Sequence, residues 1–193
     1  MNVPMPVRLL ALPLLLASCG GLLGSPSTTD PLRSEDADVQ FMASAASSNL
    51  FEIQTSQLAL TKSTSSAVKA YAQRMIDEHN TAQAALAALA TSRGIVLPTQ
   101  PAPAQRSVRD RLAAFPDASG GAATTLFDQL YGKAQLDGHQ LTLDVFNAYL
   151  RTPSADDEGV KGYATTNQPI ILMHRDDARN LPQPPSDATP LSR

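Results

Sequence analysis

Three histidines are the residues of this 193-residue chain best suited to chemistry, because imidazole binds transition metals and transfers protons near neutral pH. His79, His139 and His174 fall in three different segments whose apolar residues recur every three or four positions, which is the spacing of an amphipathic helix. The same spacing places each histidine on the side of its helix that faces a core. We therefore expect all three imidazoles to point into a helical domain.

Two carboxylates accompany the histidines. Glu52 is the only acidic residue between Asp38 and Asp77, and it shares a helical stripe with small and apolar residues. Asp128 lies on the same predicted face as His139. A buried carboxylate needs a partner. The candidate site therefore has five members, drawn from four predicted helices: Glu52, His79, Asp128, His139 and His174.

Two functions are open to such a cluster. Mixed imidazole and carboxylate ligands suit iron, manganese, zinc or copper, so the site could hold a transition-metal ion. Alternatively, the cluster is a hydrogen-bonded network that fixes helix register, with Tyr71, Tyr131, Gln135 or Asn167 as further partners. The network is favoured, because the glutamate that di-metal bundles place three residues before a histidine is missing at all three histidines.

Sequence motifs of common enzymes are absent from the chain. It contains no glycine-rich phosphate loop, no GxSxG, no CxxC and no HExxH sequence. A net charge of −3 without a basic run also argues against a nucleic-acid partner, which requires a clustered positive face. A binding or structural module is therefore favoured over an enzyme.

The elements that must position the candidate residues are helices. The chain has no tryptophan and only 5% aromatic residues, and it is rich in alanine and leucine, a composition that favours helices over sheets. Four long helices are predicted, from Ser34 to Lys62, from Ser65 to Gly94, from Ala122 to Arg151 and from Ala155 or Asp156 to Asn180. A short helix around Leu112 lies in the middle connection. Pro169 should kink or locally unwind the last helix.

The lengths of the connections predict the topology. Short loops after the first and third long helices require two antiparallel hairpins. The middle connection, from about Ile95 to Gly121, is long enough to run the length of a helix pair. The predicted fold is therefore all-α, a ferritin-like four-helix bundle in which a long crossover joins two hairpins.

The N-terminus has the features of a bacterial lipoprotein signal. Arg8 is followed by the apolar stretch LLALPLLLA, which is too short to span a membrane. Leu16, Ala17, Ser18 and Cys19 then match a lipobox, and Cys19 is the only cysteine, so it cannot form an intramolecular disulfide. We expect cleavage after residue 18 and acylation of Cys19, which would anchor the protein to a lipid membrane.

These patterns divide the chain into four parts. Residues 1–18 are the predicted signal peptide, 19–33 a flexible tether, 34–180 the four-helix domain and 181–193 a disordered tail. Glycine rather than aspartate follows Cys19, which by resemblance to lipoproteins of Gram-negative bacteria favours the outer membrane, with the domain facing the periplasm.

Several motifs in one order resemble a family of exported bacterial proteins, domain of unknown function 4142. They are Glu52 within FEIQTSQLAL, His79 within AQRMIDEHN, Asp128 and His139 within FDQLYGKAQLDGHQ, and NQPIILMH, which ends at His174. The resemblance implies a ferritin-like bundle attached to or secreted into the envelope, with no established reaction. The expected function is a lipid-anchored, non-enzymatic binding or structural module, and the alternative is a metal-binding or metal-dependent redox protein.

Overall fold

The computed structural model describes residues 37–185, and in that range it contains five α-helices and no strand. They are α1 (Ala37–Lys62), α2 (Ser66–Ser92), α3 (Pro103–Ala113), α4 (Ala122–Leu150) and α5 (Glu158–Ala178). The prediction of four long helices and one short helix is confirmed. The predicted start at Ser34, the signal peptide 1–18, Cys19, the tether 19–33 and residues 186–193 lie outside the described residues.

Local sequence explains where the helices begin and end. Ser65 caps α2, because its hydroxyl accepts a hydrogen bond from the Val68 amide at 3.3 Å. Asp157 caps α5 through the amides of the two residues that follow Glu158. Gly94 follows α2 with a φ of +66°, a conformation that glycine adopts without strain. Pro169 leaves α5 helical throughout, so the expected local unwinding does not occur.

The four long helices form a bundle in which every neighbouring pair is antiparallel. α1 packs on α2 and α4, and α5 packs on the same two helices, so α1 and α5 lie on one diagonal. The hydroxyl groups of Ser56 and Tyr131 are 2.9 Å apart, whereas Asp38 accepts a hydrogen bond from Tyr149, so residue numbers rise along α1 as they fall along α4. The predicted four-helix bundle is confirmed.

The crossover runs beside α1. Residues 93–121 connect the end of α2 to the start of α4 at the opposite end of the bundle. Within this connection α3 lies parallel to α1, because Gln105 contacts Ser47 and Arg109 donates to Gln54 at 2.7 Å. This is the ferritin-like connection that the loop lengths predict.

Two apolar clusters fill the bundle, one towards each end. The first includes Phe41, Leu86 and Phe146, and the second includes Met75 and Phe127. Along α2, α4 and α5 the three histidines occur at the level where the first cluster gives way to the second. The polar layer therefore has apolar packing on both sides along the bundle axis.

The ordered chain continues past the predicted end of the domain. Leu181 is buried, and the Gln183 amide donates to the Ala178 carbonyl at 2.9 Å. Gly132 of α4 makes room for this segment, since a Cβ there would stand 2.2 Å from the Pro182 carbonyl oxygen. The first residues of the predicted disordered tail thus pack on α4. Among the described residues, no helix is long and apolar enough to span a membrane.

Candidate metal centre

The three histidines converge in the middle of the bundle. His79 on α2, His139 on α4 and His174 on α5 are each at most 4% exposed. One nitrogen of each lies within 4.8 Å of one nitrogen of the other two. Their ring centroids form a nearly equilateral triangle with sides of 5.3, 5.3 and 5.5 Å. The expectation that all three imidazoles point inward is confirmed.

Hydrogen bonds at the Nδ1 atoms fix two of these rings. His139 Nδ1 lies 2.8 Å from the Gln135 carbonyl oxygen, which can only accept, so Nδ1 carries the proton of the neutral ring. His79 Nδ1 lies 3.0 Å from Asn49 Oδ1. The amide nitrogen of Asn49 donates to Gln83 and Tyr163, which orients its oxygen towards His79. Both rings are therefore assigned as Nδ1–H tautomers from their partners.

The remaining nitrogens of these two rings face each other. His79 Nε2 and His139 Nε2 are 3.4 Å apart, and in the assigned tautomers both carry a lone pair and no proton. Two nitrogens bound to one tetrahedral ion at about 2.0–2.1 Å lie about 3.3–3.4 Å apart. The observed separation thus equals one edge of a tetrahedral metal site.

His174 is the third candidate ligand, and a carboxylate holds its ring in place. Its Nε2 lies 2.5 Å from Glu78 Oε2, and its buried Nδ1 has no hydrogen-bond partner among the described residues. Metal-bound histidines commonly donate their second nitrogen to a carboxylate, which orients the ring and strengthens the ligand. Nδ1 is therefore the nitrogen of His174 that remains available for a metal.

Burial keeps the imidazoles uncharged. Desolvation lowers the pKa of His79 well below 6.5, and repulsion from His139 and His174 lowers it further. Desolvation likewise lowers the pKa of His139 to about 3. The pKa of His174 is also lowered by burial, although its contact with Glu78 acts in the opposite direction. Neutral imidazole is the form that binds a metal, so protons compete weakly for these ligands.

Glu52 lies behind His139 and lacks the partner that a buried carboxylate needs. Its Oε1 is 3.7 Å from His139 Nδ1, beyond hydrogen-bonding distance, and neither oxygen has a hydrogen-bond partner at good geometry among the described residues. Burial raises the pKa of Glu52 well above 4.5, and the nearby Gln135 amide offsets this only in part. Glu52 is therefore predominantly protonated over a wider pH range than an exposed glutamate.

Asp128 is not brought to the cluster. It precedes His139 by eleven residues on the same helix, a separation of about 16 Å along the axis. It is buried and follows Phe127, a member of the second apolar cluster. A shared face places two side chains at similar angles around a helix, but only a spacing of three or four residues brings them into contact. Of the five predicted members, the structure brings together the three histidines and Glu52.

Two residues that sequence reasoning overlooked hold the cluster in place. Asn49 and Glu78 bind the outer nitrogens of His79 and His174. Glu78 is adjacent to His79 in sequence, and this position gives no indication that it contacts a histidine on another helix. The partners expected from sequence are used differently, since Tyr71 donates to the backbone carbonyl of His174 rather than to its ring.

A cleft connects the cluster to the surface. Its volume is about 370 Å³, and it lies between α2 and α5 with His79 and His174 on its wall. Its outer residues, including Ala85 and Thr166, are exposed, and the side chain of Glu78 is 38% exposed. The buried imidazoles are thus reachable by a small molecule.

Comparison with known proteins identifies the family. The sequence profile of the family described as domain of unknown function (DUF4142) matches residues 23–181. The chain belongs to this family. The match covers all five helices of the DUF4142 chain, including the three histidines, Asn49 and Glu78. No match was found among curated proteins or among solved structures.

Proposed function

We propose that this DUF4142 protein binds a single transition-metal ion through His79, His139 and His174. The 3.4 Å separation of the two Nε2 atoms is the observation that carries the proposal, because in the assigned tautomers both nitrogens present a lone pair and a metal ion between them would satisfy both. One nitrogen of His174 lies within 4.8 Å of the other two ligand atoms, so a small side-chain movement would bring all three to tetrahedral spacing.

The ligand set favours some metals over others. Three neutral imidazoles suit zinc, copper and iron better than manganese, which prefers oxygen ligands. The three histidines are the only group among the described residues with metal-ligand spacing, so the proposal is for a mononuclear site. The metal-binding function, which the sequence alone ranks second, is therefore the one that the geometry favours.

Elemental analysis and thermal melting test this proposal. The full-length chain would carry Cys19→Ser, which removes the only thiol, and would be purified without a histidine tag. We expect near-stoichiometric metal and an increased melting temperature with Zn²⁺ or Cu²⁺, both lost in His139→Gln. The control is Gln140→Ala, which changes the exposed neighbour of His139. Absence of metal and of any thermal shift would reject the site in favour of a hydrogen-bonded network.

We also propose that the protein is an envelope lipoprotein, anchored through acylated Cys19 in the outer membrane. The lipobox and the single cysteine support this proposal. Labelling with a radioactive fatty acid in a Gram-negative host should mark the wild-type chain and leave Cys19→Ser unmarked. Equal labelling of both chains, or labelling of neither, would contradict it.

A further inference from the structure

The three histidines leave one position of a tetrahedral metal ion without a protein ligand. No carboxylate or thiol of the described residues joins them at ligand spacing, and Glu52 lies on the Nδ1 side of His139, away from the facing Nε2 atoms. Three protein ligands with an open fourth position are typical of sites where a metal binds an exogenous molecule, whereas structural sites are closed by four protein ligands.

The cleft between α2 and α5 marks the direction of the open position. His79 and His174 form part of its wall, and His139 is not among its lining residues, so the cleft lies on the α2–α5 side of the histidine triangle. Its volume of about 370 Å³ accommodates a small molecule. A larger cavity of about 560 Å³ beneath α3 touches none of the three histidines.

The lining of the cleft limits the chemistry of its occupant. Among the described residues that line it, Glu78 is the only acidic residue, and neither lysine nor arginine is present. Binding of phosphate or another multiply charged anion usually needs such cations. The remaining wall combines amide, hydroxyl and aliphatic groups, for example Asn167, Tyr163 and Ile171.

We propose that the cleft admits a small neutral or singly charged ligand that binds the metal directly at its fourth position. This inference rests on the proposed metal site and adds to it an exchangeable position and an entry route. Water or hydroxide is the simplest such ligand, and azide, a small anion with a single charge, is a convenient probe.

Cobalt substitution tests the open position. Full-length Cys19→Ser protein would be loaded with Co²⁺, whose visible absorption reports its coordination, and titrated with azide. We expect saturable changes in the visible bands with azide and none with inorganic phosphate. Unchanged bands in the presence of azide would overturn the inference while leaving the metal site intact. Failure of Co²⁺ to give bands that depend on His139 would instead reject the metal site itself.

Substitutions to phenylalanine test the entry route. Ala82→Phe fills the cleft from α2, and Thr166→Phe fills it from the exposed side of α5. Each should weaken azide binding by about tenfold or more while the cobalt bands are retained. Ala104→Phe is the matched control, because it fills the cavity beneath α3 and should leave azide affinity unchanged. Loss of azide binding in Ala104→Phe, with binding retained in Ala82→Phe and Thr166→Phe, would place the entry route in the cavity beneath α3 and overturn the inference.

Discussion

His79 and His139, sixty residues apart in sequence, place their Nε2 atoms 3.4 Å from each other at the centre of the bundle. Their Nδ1 atoms are occupied by an amide oxygen and a backbone carbonyl, so the inner nitrogens remain available as ligands. This relationship supports the proposed metal site over a network that only fixes helix register, because such a network would place a donor opposite an acceptor.

Replacement of Glu52 by glutamine should stabilise the metal-free protein. The folded-state pKa of Glu52 is raised, so its contribution to stability is complete below the unfolded value of 4.5 and is lost as pH rises through the folded value. Glutamine cannot ionise and escapes this loss. At pH 8 we expect Glu52→Gln to increase the free energy of unfolding by about 1 kcal/mol or more, measured with urea. Glu158→Gln is the control, since the side chain of Glu158 is 89% exposed. A less stable Glu52→Gln protein would show that the carboxylate has a charged partner.

The histidines should make the metal-free protein sensitive to acid. Their folded-state pKa values are lowered, so stability is complete above the unfolded value of about 6.5 and falls as pH decreases below it. For His139 this loss extends down to a pH of about 3. In the Glu52→Gln background, which removes the opposing titration, each histidine should contribute a slope of up to about 1.4 kcal/mol per pH unit.

Unfolding in urea between pH 7.5 and 5 measures this slope. Adding His139→Gln to the same background should reduce it by the contribution of one proton. The chain has only three histidines, so their combined slope is at most three times that of a single histidine. A slope that is unchanged by His139→Gln would mean that His139 already accepts a proton in the folded protein.

Gly138 should be required for the close approach of α4 to α1. A Cβ at this position would lie 2.8 Å from Glu52 Oε1 and 2.9 Å from a ring carbon of Phe51, both closer than ordinary contact. We expect Gly138→Ala to destabilise the protein by about 1–3 kcal/mol.

Gly162 in α5 is the matched control, because a Cβ there meets nothing within 4 Å. Gly162→Ala should stabilise the helix by up to about 1 kcal/mol. Thermal melting of both variants distinguishes packing from helix propensity, and equal shifts would contradict the tight fit at Gly138.

Asn49 should tune the affinity for metal without being a ligand. It accepts the proton of His79 Nδ1 and thereby directs the other nitrogen inward. We expect Asn49→Ala to weaken Zn²⁺ binding by about 10–100-fold, as measured by competition with a coloured chelator. Asn80→Ala, at an exposed position of α2, should leave affinity unchanged. Equal affinities of the two variants would show that His79 is oriented by packing alone.

Much of the fold can be predicted from the sequence by local rules. The helix boundaries at Ser65 and Gly94 follow from capping and turn chemistry, the start of the last helix is predicted to within about two residues, and loop lengths define the two hairpins and the crossover. Continuous helix at Pro169 is the exception, since packing against α2 and α4 holds α5 together where an isolated helix would be weakened.

The contacts within the candidate site could not be predicted from the sequence alone. Helical periodicity determined that three histidines and Glu52 face inward, because it sets the angle of each side chain around its helix. Only the tertiary structure decided their level along the bundle, since the register between helices depends on how distant side chains interlock. That register excludes Asp128, brings Asn49 and Glu78 to the outer nitrogens, and leaves Glu52 without a well-aligned hydrogen-bond partner among the described residues. It also sets the two Nε2 atoms at the spacing of a metal site.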